Sequence, residues 1–421
     1  MQHGGTRNLG GLDGSSAHLA TEERRGAQAP EQRPRTPKLC RCPHGVWWAQ
    51  GRATASVRAP ILGRDSTPGA GSSCLVRSFS SSPAGVKRDG FSFVSYHLEG
   101  IDSMEGGQCD DETRPIYLDY NATTPLDPAV SSAMLPYLQG RFGNPSSGHW
   151  YGVKEKEAVE TARARVAALL GAADPSEIIF TSGGTESVNW AIKATAERFK
   201  TTHKHIITSK VEHVVVLECC KYLQEVHGFE VTYLPVDETG RVNPESLRTA
   251  LRDDTCLVSI MHANNETGSI NDITALATIA HERGVLFHTD ASQSVGKVTV
   301  DLAQSPVDFL TVAGHKLYCP AGVGALFVRR GCTLGKWMHG AGHEAGRRAG
   351  TENTMHLVAL GEACLQCQEH AQEHESHLKR MRDLLHSLLL AKLPGLRLNG
   401  PVEGPHTQKI IGEKFVYNIN C

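Results

Sequence analysis

VLFHTDASQSVGKVTVDLAQSPVDFLTVAGHK, residues 285–316, holds the plainest sign of how the chain folds. It contains two apolar runs of strand character, Val285–His288 and Val307–Val312. Polar groups follow each run, Asp290 and Gln293 after the first, His315 and Lys316 after the second. Ligands in an open α/β sheet sit outside the carboxyl ends of the strands. An acid and a lysine are therefore expected at one sheet edge.

That pairing suggests a chemistry. Desolvation disfavours an ammonium, so a lysine at the mouth of an apolar pocket can lose its proton and form a Schiff base with an aldehyde. A carboxylate nearby can hold a pyridinium nitrogen, which points to pyridoxal 5'-phosphate. The competing reading is an Asp that caps a turn and a Lys in a loop.

Working outward, the same strand-then-polar pattern recurs. EIIFTSGGTES, residues 177–187, reads as a short buried strand, a Ser-Gly-Gly-Thr turn and a helix from about Thr185. Backbone N–H groups at such a helix start bind anions, with Gly184 allowing close approach and Thr185 adding a hydroxyl. It is neither a GxGxxG fingerprint nor a P-loop, and a plain strand-to-helix turn is the alternative. His205–Thr208 reads as a strand ending near His213, and residues 256–268, CLVSIMHANNETG, as a strand ending in a polar cluster with Asn265. Helices are expected at 129–139, 154–170, 214–227, 244–251, 273–282, 352–369 and 371–394, further strands at 115–119, 230–234 and 396–401, and a loop at 143–150. Strand and helix alternating with short loops imply an α/β fold, a mainly parallel sheet with helices on both faces.

Composition sets limits. At 421 residues the chain can bury a sizeable core. With 43 basic and 45 acidic residues it is near neutral, so charge does not argue for nucleic acid, and no apolar run has the length of a membrane span. Twelve cysteines without a repeating framework suit a reducing compartment. Residues 1–112 are rich in Arg, Gly, Ser, Ala and Pro, and are expected to be a disordered extension or presequence. CLVRSFSSSPAGV, 74–86, is Ser-rich and basic without acids, as organelle presequences are. The alternative is an upstream region with Met104 as the working start. Cys40 and Cys42 lack a second ligand pair, and Cys364 and Cys367 read as ordinary helix positions, so no metal site is expected.

FTSGGTES, VEH, HANNETG, HTDASQSVGK, GHK and RRAGTEN, in this order and spacing, resemble the cysteine desulfurase and selenocysteine lyase family, class-V aminotransferases of PLP fold type I. The resemblance covers about 115–400, and RAGTENT with HANNETG lies nearer the selenocysteine lyases and nitrogen-fixation-type desulfurases than the housekeeping mitochondrial enzyme. It implies a large PLP-binding domain over 113–370 with an N-terminal arm, and an incomplete small α+β domain over 371–421. It implies Lys316 as the cofactor-bound lysine and proton carrier, Asp290 on the pyridine nitrogen, and His213 stacked on the ring as a second catalytic group. Asn265 and Gln293 would hydrogen-bond the O3' side, and Gly184, Thr185 and His315 the phosphate. Thr351 would reach the phosphate of a partner subunit in a homodimer, or else cap the helix that follows. The substrate would be L-cysteine or L-selenocysteine, giving L-alanine, with a protein acceptor for the sulfur or selenium and no nucleic-acid or membrane partner.

The chain departs from the family pattern at Ala313, where serine is usual, at Cys319, where glycine is usual, and at Ala345, where arginine is usual. The family's nucleophilic cysteine loop and carboxylate-binding arginine lie beyond the matching part of this sequence, and Cys421 reads as a chance terminal thiol. The expectation is weak desulfurase activity, with a non-catalytic PLP-binding subunit in mixed dimers, or another aminotransferase, as alternatives. The lyase resemblance places the protein in the cytosol; the RSFSSS segment would place it in the mitochondrial matrix.

Overall fold

The computed structural model describes residues 116–393, 395–401 and the backbone of 417–419. The expectations for residues 1–112, Cys40, Cys42, Met104 and Cys421 lie outside the described residues. The described residues all belong to one compact unit.

The helices are α1 (Pro128–Gln139), α2 (Trp150–Leu170), α3 (Gly184–Phe199), α4 (Val214–His227), α5 (Pro244–Ala250), α6 (Ile273–His281), α7 (Thr354–Glu369) and α8 (Ala371–Lys392). A seven-stranded sheet comprises β1 (Ile178–Thr181), β2 (His205–Ser209), β3 (Glu230–Leu234), β4 (Thr255–Ser259), β5 (Leu286–Asp290), β6 (Phe309–Ala313) and β7 (Gly324–Val328), in the order β1-β7-β6-β5-β4-β2-β3. The ladders among β2 to β6 are parallel, and β7 runs antiparallel to both neighbours. A separate pair joins β8 (Leu396–Leu398) to β9 (Tyr417–Ile419).

Every residue of β1, β2, β4, β6 and β7 is buried, as a sheet covered on both faces requires. Alternation sends neighbouring side chains into two cores. Ile178, Phe180, Ile207, Phe287 and Leu310 join Val159, Leu276 and Leu360 on one face. Ile179, Ile206, Leu257 and Phe309 join Val188, Trp190 and Val216 of α3 and α4 on the other. On the first face α7 lies directly on α2, where a Cβ on Gly361 would stand 2.6 Å from Ala162 Cα.

Three elements differ from the sequence reading. Residues 116–119 carry no strand assignment, and Ile116 and Leu118 are exposed, because no sheet edge pairs with them. Helix α2 begins at Trp150, since His149 Nδ1 accepts from Gly152 N at 3.4 Å and caps it. Strand β7 had no forecast. It follows a Gly-Pro-rich run, yet its contact with β1 and β6 fixes both ladders, and a Cβ on Gly324 would come within 2.5 Å of Val312 O.

Candidate active site

The carboxyl ends of β1, β2, β4, β5 and β6 meet along one edge, and a cavity of about 590 Å³ opens there. Eight residues singled out from the sequence line it: Gly184, Thr185, His213, Asn265, Asp290, Gln293, His315 and Lys316. Each lies at or beyond the end of a strand, so the sheet brings together groups separated by more than a hundred positions.

Lys316 sits in a single 3-10 turn after β6, in polar surroundings instead of the apolar ones expected. Its Nζ donates to Asn121 O, and to Ala122 O at 3.1 Å. Two carbonyls so placed suit an ammonium, because they replace water as acceptors. The same Asn121 carbonyl accepts from Gln293 Nε2 at 2.9 Å, and Asn121 Nδ2 donates to Asn265 O at 3.2 Å. The turn after residue 119 therefore closes the cavity on one side. Asn265 turns its own amide towards Glu266, with Nδ2 to Oε1 at 2.9 Å.

Asp290 ends β5, nearly buried, and its Oδ1 accepts from Ser292 N at 3.0 Å. Behind it His288 lies between Ser259 Oγ at 2.8 Å and Thr311 Oγ1 at 3.0 Å, and burial pushes its pKa down to about 4. The neutral ring adds no charge to compete with whatever Asp290 faces. Burial likewise lowers the pKa of His315, and the neighbouring Lys316 adds to it; its Nδ1 meets Thr123 Oγ1 at 3.2 Å. His213 is exposed and accepts at Nδ1 from Val215 N at 3.2 Å, which caps α4. That bond requires an unprotonated Nδ1 and ties one edge of the ring to the start of α4, at the border of the cavity.

Glu212, next to His213, received no role from the sequence. It is buried, with Met261 N donating to Oε1 at 3.0 Å and to Oε2 at 3.1 Å, and Ser209 Oγ to Oε1 at 2.7 Å. Burial pushes its pKa up to about 8 against these donors, and Asp290 adds to the rise. Asn121 was missed as well; its signal was a polar residue in the turn before an N-terminal Pro-capped helix, too common a pattern to stand out.

Helix α3 starts at Gly184, and its N-cap Gly183 offers no side-chain cap. Its amide end faces the cavity as an anion site. A Cβ on Gly184 would stand 3.1 Å from Ser292 Oγ and 3.2 Å from Ala313 Cβ, so only glycine leaves this floor open. These features fit a phosphorylated pyridine: an uncapped helix end for the phosphate, a carboxylate for the ring nitrogen, and a lysine for the aldehyde.

Thr351 does not line this cavity. It is exposed, on a neighbouring cleft of about 90 Å³ with Glu344, Arg348 and His356. The segment is held there by Arg348, whose Nε and Nη2 donate to Glu186 at 2.9 and 3.1 Å, and by a buried bidentate Arg163–Glu344 pair at 2.8 and 2.9 Å. Nor does Thr351 cap the following helix; Asn353 does, accepting from His356 N at 3.3 Å, and the helix starts at Thr354. Among the described residues no group of three or more His, Cys, Asp or Glu could hold a metal.

The class-V aminotransferase profile matches residues 116–418. The chain belongs to this family. A cysteine desulfurase IscS of Neisseria meningitidis is 50% identical over 273 residues, covering 64% of this chain and 67% of that protein. A solved NifS-like protein superposes with a TM-score of 0.67 at 38% identity, covering 70% of this chain and 80% of its own. A second structure, described as SspA in complex with cysteine, has a TM-score of 0.58 at 41% identity, over 60% of this chain and 72% of that one. The fold of this class-V member is thus the type-I PLP fold of the NifS-like proteins, and its cavity lies outside the carboxyl ends of the parallel strands, where open α/β sheets bind ligands.

Proposed function

We propose that the protein removes sulfur from L-cysteine with pyridoxal 5'-phosphate, leaving L-alanine, and that L-selenocysteine enters the same site. What carries the reading is the convergence of Lys316, Asp290 and the uncapped start of α3 on one cavity. When bound, the cofactor supplies an electron sink that weakens bonds at the substrate's α and β carbons.

The protein's residues do the rest. The first-turn amides of α3 at Gly184 and Thr185, with His315, hold the phosphate. Asp290 keeps the ring nitrogen protonated, and the neutral His288 behind it leaves that charge uncontested. His213 would stack on the ring, and Gln293 and Asn265 would hydrogen-bond its O3' side. Lys316 Nζ, on leaving the Asn121 and Ala122 carbonyls, moves the α proton. In sum, the Cβ–S bond is replaced by a C–H bond, a two-electron reduction, while an acceptor thiolate is oxidised to a persulfide.

No thiol of the described residues stands in the cavity. Among the described residues all seven cysteines are buried or half-buried, and none lines it. A thiol from an acceptor protein or a small thiol suits that geometry. The working form in this reading is a homodimer, and Thr351 on its exposed cleft is open to contact with a second copy. A cytosolic location accords with a chain in which, among the described residues, no helix is long and apolar enough to cross a membrane.

The test is alanine release from L-cysteine, with a dithiol present to collect sulfur, by the purified full chain loaded with the cofactor. Release abolished by Lys316→Ala is the expected result. Cofactor binding without alanine from either cysteine or selenocysteine overturns the desulfurase reading in favour of a cofactor-holding subunit. Amino transfer to a keto acid instead would make it an aminotransferase.

A further inference from the structure

The turn that closes the cavity contains an unusual polar atom. Asn121 is about 5% exposed, and its Oδ1 is buried with no hydrogen-bond partner. The orientation of the amide is not arbitrary. Its other end meets Asn265 O at 3.2 Å, and a carbonyl accepts only, so the nitrogen must lie there and the oxygen must point the other way. The Asn121 main-chain oxygen is occupied, taking hydrogen bonds from Lys316 Nζ and from Gln293 Nε2. One residue that lines the cavity thus holds the reactive lysine with its backbone and keeps a spare acceptor on its side chain.

A buried acceptor without a donor costs roughly 1–3 kcal/mol, and native structures rarely keep one without a use. Three kinds of donor come into question for it. Lys316 already has two carbonyl acceptors on the same turn. A thiol is a weak donor. An amino acid's ammonium carries three strong donors, and to take over from Lys316 it must arrive next to Lys316 Nζ, where Asn121 stands.

We infer that Asn121 is a substrate-binding residue whose Oδ1 accepts a hydrogen bond from the α-amino group of the incoming amino acid. The inference rests on the reading of this cavity as an amino-acid site, and it adds the group that recognises the amine. Asn121 orients the amine towards the lysine it displaces, while Gln293 and Asn265, bonded to the same residue, fix the turn that carries it. An amine-free analogue gains nothing from this contact.

The experiment uses the cofactor-loaded full chain and calorimetric titration with two ligands, L-alanine, which has the amine, and 3-mercaptopropionate, which lacks it. Asn121→Leu removes the acceptor and is expected to weaken L-alanine by about tenfold, the value of one hydrogen bond to a charged donor, and to leave 3-mercaptopropionate within about twofold. Asn121→Asp keeps the oxygen acceptors but loses the donor to Asn265 O. It is expected to hold L-alanine within about threefold of wild type.

A merely structural anchor gives a different pattern. Leu and Asp would then be equally harmful, since both lose the bond to Asn265, and both ligands would weaken together. That result overturns the inference, as does unchanged L-alanine binding in Asn121→Leu, or a wild-type protein that binds no amino acid. Should wild type bind L-alanine with this amine dependence and yet release no alanine from cysteine, the inference stands and the desulfurase reading alone fails.

Discussion

Replacing Glu212 with Gln should change how stability depends on pH. The carboxyl is buried at the end of β2, and burial raises its pKa from 4.5 to about 8. An acid with a raised folded-state pKa binds its proton more tightly in the folded chain than in the unfolded one. Its stabilising contribution is full below about pH 4.5 and is lost as pH rises towards 8. The span of 8 − 4.5 = 3.5 units, at about 1.4 kcal/mol per unit, gives a loss on the order of 5 kcal/mol. Glutamine cannot titrate. Its amide faces Met261 N less well, but that cost is the same at every pH. The assay is urea unfolding of wild type and Glu212→Gln in steps from pH 5 to 8.5. Wild type minus variant should fall steadily, by about 1.4 kcal/mol per unit, and level off near pH 8. A flat difference would refute the reasoning and mean that the Met261 and Ser209 donors keep Glu212 ionised throughout.

Arg163→Met should destabilise by roughly 3–5 kcal/mol, because it leaves Glu344 charged and unpaired in the core, and adding Glu344→Gln should recover much of that loss in the same unfolding assay. Gly184→Ala puts a Cβ within 3.1 Å of Ser292 Oγ and should weaken pyridoxal 5'-phosphate by about tenfold in an absorbance titration, with the unfolding midpoint little changed. Burial pushes the thiols of Cys220 and Cys256 up to about 12. Neither should react with a thiol reagent at pH 7–9 until the protein unfolds, as peptide mapping of labelled sites would show.

Much of the architecture was legible because its signals are local. Apolar runs at 178–180, 205–208 and 285–288 became strands, and caps such as Gly171 with φ 65° ended helices where periodicity broke. The rule that ligands lie beyond strand ends then placed Asp290 and Lys316 together before any contact was known. Local signals also misled. Residues 115–119 have strand composition but no partner edge, while β7 was overlooked because it is defined by the two ladders it completes.

The alternation, the mainly parallel sheet and the strand-end residues follow from the chain read segment by segment, since propensity and apolar period are properties of short segments. The packing of the whole chain sets which groups touch. It put Asn121 on Lys316 across 195 positions, buried Glu212 behind Asp290, and held Thr351 in a separate cleft beside the Arg348–Glu186 pair. Hydrogen bonds between distant loops, and the desolvation that shifts a buried acid, depend on how all the strands pack at once, and no single stretch of chain encodes them.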